Sequence, residues 1–303
     1  VLSPTLTAIP MSLILSTSSY YYLLVLLFFS GISVALYHVP SPVLIAKYSG
    51  ERKGRGMSIF MTGGESARTV GPMFAVTAVS FLGQDHFYMV IGFAVLTSIL
   101  LYFTLEKEDQ KTRIKKSGSL KASYQEIKHV LIPLSGILSA RSFMHASMGV
   151  FLTVFVERQT GSLWYGGAAL ALYEAFGVAG ILSAGTLSDW LGRQRILFWV
   201  LIVAPVAILF FVFTTGILKI IMLVITGFTV LSTTPVMLAI IQENAIKNPS
   251  TANGLFMMVS FAVRSLAVFL TGIIGDFAGL ENMFIVSAGI GFFAIPFLLK
   301  LEH

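Results

Sequence analysis

The chain has 303 residues, of which 56% are apolar and 11% charged, with 25 phenylalanines and a net charge of +6. That composition excludes an ordinary water-soluble domain, and the lack of cysteine excludes disulfides and thiol-ligated metal. The basic residues are scattered through short breaks between apolar runs, as membrane topology requires, so no nucleic-acid partner is expected.

Crossing a hydrocarbon layer of about 30 Å takes roughly 20 apolar residues in a helix. Runs of this kind fall near 2–17, 20–46, 56–81, 86–104, 130–156, 163–187, 195–215, 218–243, 252–275 and 281–299, which makes ten expected spans. The first is the weakest. Helices are expected rather than strands, because the runs lack alternating polarity and a helix satisfies its own backbone in lipid.

Alternate breaks differ in charge. One set holds Lys47, Arg52, Lys53, Arg55, the cluster from Lys107 to Lys128, Arg193, Arg195, Lys247 and Lys300; the other holds only Arg158 and Lys219. The basic set is expected to be cytoplasmic, together with the C-terminus. The charged stretch EKEDQKTRIKKSGSLKASYQEIKH, 105–128, reads as a linker between two bundles.

The chain also repeats. A shift of 196 residues sets Gly31 on Gly227, Phe60 on Phe256, Met61 on Met257 and Arg68 on Arg264. Under that shift the spans at 130–156 and 163–187 have counterparts ahead of Val1, so two helices are expected to precede it. The organisation read from the sequence is an all-α membrane protein: an N-terminal bundle in 1–104, a linker in 105–128 and a six-helix bundle in 129–300. Leu301, Glu302 and His303 read as a tag remnant.

The segment GTLSDWLGRQR, 185–195, lies in a basic break and resembles the signature loop G-x-L-x-D-R-x-G-R-R of the major facilitator superfamily, with Trp190 and Gln194 departing from the basic residues there. Gly185 permits close helix approach, Asp189 can accept from amides at a helix N-terminus, and Gly192, Arg193 and Arg195 complete a cytoplasmic gate. Asp189 is expected to meet the cytoplasmic N-terminal end of the helix beginning near Asn253 when that side is closed.

A second stretch, YHVPSPVLIAKYSGERKGRGMSIFMTGGE, 37–65, is similar to the fosmidomycin-resistance family of these transporters. The likeness rests on Tyr37, His38, Ser49, Gly50, Arg52, Gly54, Ser58, Phe60, Gly63 and Gly64, followed by Gly71 and Pro72. Pro40 and Glu65 depart from the family pattern, and Ala67 interrupts a Gly-Pro element typical of proton antiporters. The resemblance implies a fold of two six-helix bundles related by a pseudo-twofold axis, in a bacterial inner-membrane exporter driven by protons. Gly63, Gly64, Gly71 and Pro72 are expected at helix contacts.

Ionisable groups within spans are costly and mark function or pairing. At 1.5 Å per residue, Arg68, Arg141, Arg264 and Glu174 fall near the middle of the bilayer, where transporters hold substrate and coupling ions. Glu65 and Arg68, three apart, share a helix face and can pair. Guanidinium suits phosphate, phosphonate and carboxylate. His38, close to the helix break expected at Pro40 and Pro42, and His145 are candidate proton carriers, since histidine is the residue type whose ordinary range spans neutral pH. The alternative for each charge is a structural ion pair, and for each histidine a packing role.

No nucleotide-binding or metallopeptidase motif is present. The expectation is therefore a non-enzymatic, proton-coupled exporter of a small anionic or amphiphilic molecule, such as a drug or phosphonate. Its partners would be that small-molecule substrate, protons and the lipid bilayer; it would act as a monomer without cofactor or metal. An importer or exchanger of organic phosphates or carboxylates, and a non-transporting receptor or scaffold, are the alternatives.

Overall fold

A computed structural model describes residues 2–104 and 119–302, the side chains of Arg68, Pro72, Met73, Val76 and Glu302 excepted. The helices are α1 Ser3–Ser12, α2 Tyr20–His38, α3 Ser41–Ser49, α4 Lys53–Leu82, α5 Ile91–Thr104, α6 Leu120–Ala146, α7 Leu152–Thr160, α8 Leu163–Leu191, α9 Arg193–Phe213, α10 Gly216–Asn244, α11 Pro249–Ala278, α12 Leu280–Phe292 and α13 Ala294–Leu299. Short 3-10 turns follow α1, precede α5 and follow α13, and a π-helical turn Ser147–Phe151 joins α6 to α7. Each of the ten expected spans coincides with a helical passage, and among the described residues eight are long and apolar enough to cross a membrane.

One boundary differs from the sequence reading, and the break expected at Pro40 and Pro42 is present. The passage 20–46 breaks at Val39–Pro40, since neither Pro40 nor Pro42 has a backbone N–H to donate to the preceding turn. The passage expected from 130 starts at Leu120, so the last nine residues assigned to the linker are helical. There Ser123, Ile127, Val130, Leu131 and Leu134 fall on one buried helical stripe. The rest of the linker, 105–118, lies outside the described residues.

The repeat is visible in the helix bounds. Both α4 and α11 have 30 residues, and their first and last residues differ by the same 196 positions that align the sequences. Arg68 and Arg264 therefore stand at the same place along equivalent helices. The starts of α2 and α10, Tyr20 and Gly216, keep the same spacing.

By internal contacts the chain divides into residues 1–41 with 70–118, and residues 42–69 with 119–303. In the first unit α1 packs on α2 and α5. The Thr5 hydroxyl reaches the Ala94 carbonyl at 3.1 Å and the Ser98 hydroxyl at 2.8 Å, which satisfies polar groups that lipid cannot.

In the second unit α6 passes through both cores. One gathers Ile127, Leu134, Ile137, Leu201, Val236 and Met57; the other gathers Met144, Leu152, Tyr173, Ile208, Phe211 and Phe284. Phe155, Phe211 and Phe284 close the second core with centroids 4.7–6.2 Å apart. The helices α8 and α10 cross where Gly227 lies under the Tyr173 carbonyl and Gly180 under the Phe228 carbonyl, with no room for a side chain at either glycine. Without a hydrophobic driving force in lipid, such close backbone approach is what favours helix association. Gly227→Val is expected to destabilise the protein by about 1–3 kcal/mol, the usual range for overpacking, read as a lower midpoint of thermal unfolding in detergent.

Candidate functional site

Two sets of polar groups stand out in the second unit. The first surrounds the turn between α8 and α9. Gly192 makes that turn with φ +95°, a value that disfavours any residue with a side chain, and Gly185 one helical turn before Asp189 lies against the Gly54 carbonyl and Ser58. This backbone contact brings the start of α4 onto the end of α8. Asp189 then accepts the N–H of Gly54 at 3.0 Å and of Arg55 at 2.9 Å, two of the amides left open by the helix start.

Arg193 completes the network. Its Nη2 lies 2.6 Å from Asp189 and 2.7 Å from Glu243, while Nη1 donates to Ser188. Asp189 and Arg193 are 7% and 13% exposed, so their pairing is shielded from the screening that weakens surface ion pairs. The same end of the unit is tied further by Glu126, which accepts from the N–H groups of Ile246 and Lys247 at 2.9 and 2.8 Å, and by His129 against Asn244 at 3.1 Å.

The expected partner of Asp189 is thus corrected. It binds the start of α4, not of α11, because Gly54 and Gly185 allow α4 and α8 to touch, whereas α11 packs on α6. The glycine expectation is corrected too. Gly63, Gly64 and Gly71 have no described atom within 4 Å of where a Cβ would stand, and close approach falls at Gly54 and Gly185 instead. Arg195 is exposed. The Pro72 side chain lies outside the described residues.

The second set lies inside the helices. Arg141 and His145 are four apart on α6 and share a face. Arg141 Nε donates to the Val230 carbonyl on α10 at 3.1 Å, and His145 Nδ1 lies 3.3 Å from the Tyr173 hydroxyl on α8. His145 is 4% exposed and Tyr173 fully buried. Glu174 follows Tyr173 and is half-buried. The π-helical turn begins two residues after His145, a distortion often placed at functional sites. The guanidinium of Arg141 has the geometry that suits an anion, and the His145–Tyr173 contact joins an imidazole to a phenol hydroxyl in the buried interior.

The remaining candidates lie on other helices. Glu65 on α4 is 7% exposed, and its backbone carbonyl accepts from Thr69 at 3.1 Å. Arg264 is half-buried in the middle of α11. His38 ends α2 in the first unit, its ring edge-on to Tyr37 at 5.5 Å. The expected Glu65–Arg68 pairing involves a side chain outside the described residues. Sequence reasoning missed Tyr173 and Glu126; Tyr173 shares the stretch with Glu174 but gives no signal among ten tyrosines.

The profile of the Major Facilitator Superfamily matches residues 1–268. The chain belongs to that family. It is 24% identical over 269 residues to the fosmidomycin resistance protein of Escherichia coli (strain K12), covering 85% of this chain and 65% of that one. It is also 25% identical over 302 residues to the uncharacterized MFS-type transporter YfnC of Bacillus subtilis (strain 168), covering 94% of this chain and 73% of the other. Among solved structures, the human organic anion transporter MFSD10 (TETRAN) superposes with a TM-score of 0.79 at 14% identity, over 99% of this chain and 76% of that one. This last likeness bears on the fold alone. The all-helical, multi-pass membrane architecture is that of the superfamily.

Proposed function

We propose that this chain carries out proton-coupled export of a small anionic or amphiphilic compound by alternating access, as a secondary transporter and not an enzyme. The observation that carries the reading is the Asp189 network: a buried carboxylate, paired with Arg193, holds the start of α4 through two backbone amides that can break without disturbing either helix. Such a latch suits a gate between bundles 1–104 and 129–300 that rock about a midplane site. Arg141 and His145 receive the anion. Glu65 and Glu174 exchange the proton, so that loading changes the relative stability of the two arrangements.

The fosmidomycin resistance protein, at 24% identity, supports phosphonates as the first compounds to assay. The test uses the full-length protein in inverted inner-membrane vesicles with an imposed proton gradient. Phosphonate uptake that collapses with a protonophore is expected; uptake insensitive to the gradient, or none for any anion, overturns the reading.

Orientation has its own test, made simple by the lack of cysteine in these 303 residues. Exposed Ile246 and Arg195 adjoin the basic breaks, and exposed Trp164 and Ile217 stand at the other helix ends. Cysteine at 246 or 195 is expected to react with an impermeant maleimide only in inverted vesicles, and cysteine at 164 or 217 only in right-side-out ones. The reverse pattern contradicts a cytoplasmic gate.

A further inference from the structure

At the end of α8 away from Gly192, a cavity of about 320 Å³ opens between α7, α8, α9 and α10. Its wall is almost wholly apolar, built from Ala168, Ala169, Leu172, Phe211, Ile220 and Leu223. One cation stands at its side. Lys219 Nζ donates to Gln159 Oε1 at 2.6 Å and lies 5.1 and 5.0 Å from the ring centroids of Phe155 and Phe211.

Lys219 is oddly placed for a structural residue. It sits in the first turn of α10, where the helix dipole disfavours a cation, and that turn has neither an acidic residue nor a side-chain cap. Among the described residues no carboxylate forms an ion pair with it; Glu281 acts on it only through space. Two aromatic faces and an amide hold the ammonium beside an apolar chamber without neutralising it.

A positive group at the rim of an apolar cavity is complementary to one ligand chemistry, a single anionic head on an apolar tail. The volume falls at the low end of small-molecule sites, roughly 300–1,000 Å³. We propose that this cavity is a binding site for a medium-chain fatty carboxylate, its head on Lys219 and its tail along Leu172 and Leu223. The site is separate from the Arg141–His145 set and does not depend on transport.

The test measures quenching of tryptophan emission in the full-length protein by bromodecanoate, with the protein in phosphatidylcholine nanodiscs. Trp164 adjoins Tyr165 of the cavity wall and reports occupancy. Saturable quenching by the acid is expected, with bromodecanol giving only the linear quenching of membrane partition. Lys219→Gln should raise the half-saturating concentration about tenfold, the loss of one charge-assisted contact, while Lys219→Arg keeps it within about threefold. Ala168→Leu, at an exposed wall position, fills the chamber and should weaken the acid alone. Identical curves for acid and alcohol, or a Lys219→Gln curve matching the wild type, overturn the proposal. So does saturable quenching that vanishes in phosphatidylglycerol nanodiscs, which would assign the cavity to a lipid headgroup.

Discussion

Gly185→Ala is expected to cut transport at least about tenfold, equivalent to about 1.4 kcal/mol on the barrier, while leaving membrane insertion intact. A methyl at Gly185 would collide with the Gly54 carbonyl and the Ser58 hydroxyl, so α4 cannot seat on α8. Seating is what brings the Gly54 and Arg55 amides to Asp189. Asp189→Asn should show the same loss by another route: its one carbonyl oxygen can accept only one of the two backbone amides, its NH2 meets the other donor, and the charge that pairs with Arg193 is gone. A reporter separates gating from misfolding. Met57 is fully buried beside this contact, and in a Met57→Cys background either variant should expose the thiol to a soluble maleimide. Wild-type flux with a protected thiol would reduce the contact to a fixed element of the fold.

Glu65→Gln and Glu174→Gln should each abolish accumulation driven by the proton gradient, by about tenfold or more, while leaving substrate exchange at equilibrium. Glutamine keeps the size and hydrogen-bonding reach of glutamate but cannot gain or lose a proton. A carboxylate as buried as Glu65 is expensive in a membrane span, and under the proposed function its protonation is what the chain uses it for. The assay compares gradient-driven uptake with counterflow in the same vesicles. Normal accumulation in both variants would make the two carboxylates structural, and a loss of counterflow as well would place them in substrate binding.

The sequence revealed the passages because each is an apolar run of spanning length, and the 196-residue repeat because Arg68 and Arg264 keep their register in helices of identical length. The register did not say which helix start faces Asp189. The starts of α4 and α11 hold equivalent places in the repeat, and it is the glycine contact between α4 and α8 that distinguishes them. Helix ends were legible where glycine or proline marks them, as at Gly192 and Pro40. The start of α6 was not, because its first turns carry charged residues outside and a buried stripe of only Ser123 and Ile127 within.

The interior polar groups were legible as charges but not as a constellation. Arg141 and His145 were singled out one by one and not as neighbours, and the Tyr173 hydroxyl and the Val230 carbonyl reach them only through the packing of α8 and α10 around α6. Gly63 and Gly64 misled for the opposite reason. Their spacing suits helix contact, yet the close approach lies nine residues earlier, at Gly54.

The central claim is that the seating of α4 on α8 is one of two alternating states. It is tested most directly by a spin-label distance distribution between cysteines placed at exposed Arg55 and exposed Trp190, in the full-length protein in nanodiscs. Two resolved populations are expected, with the short one matching the Asp189-bound arrangement and the balance moving with pH and with added phosphonate. A single narrow distance, unchanged by either, would contradict the account.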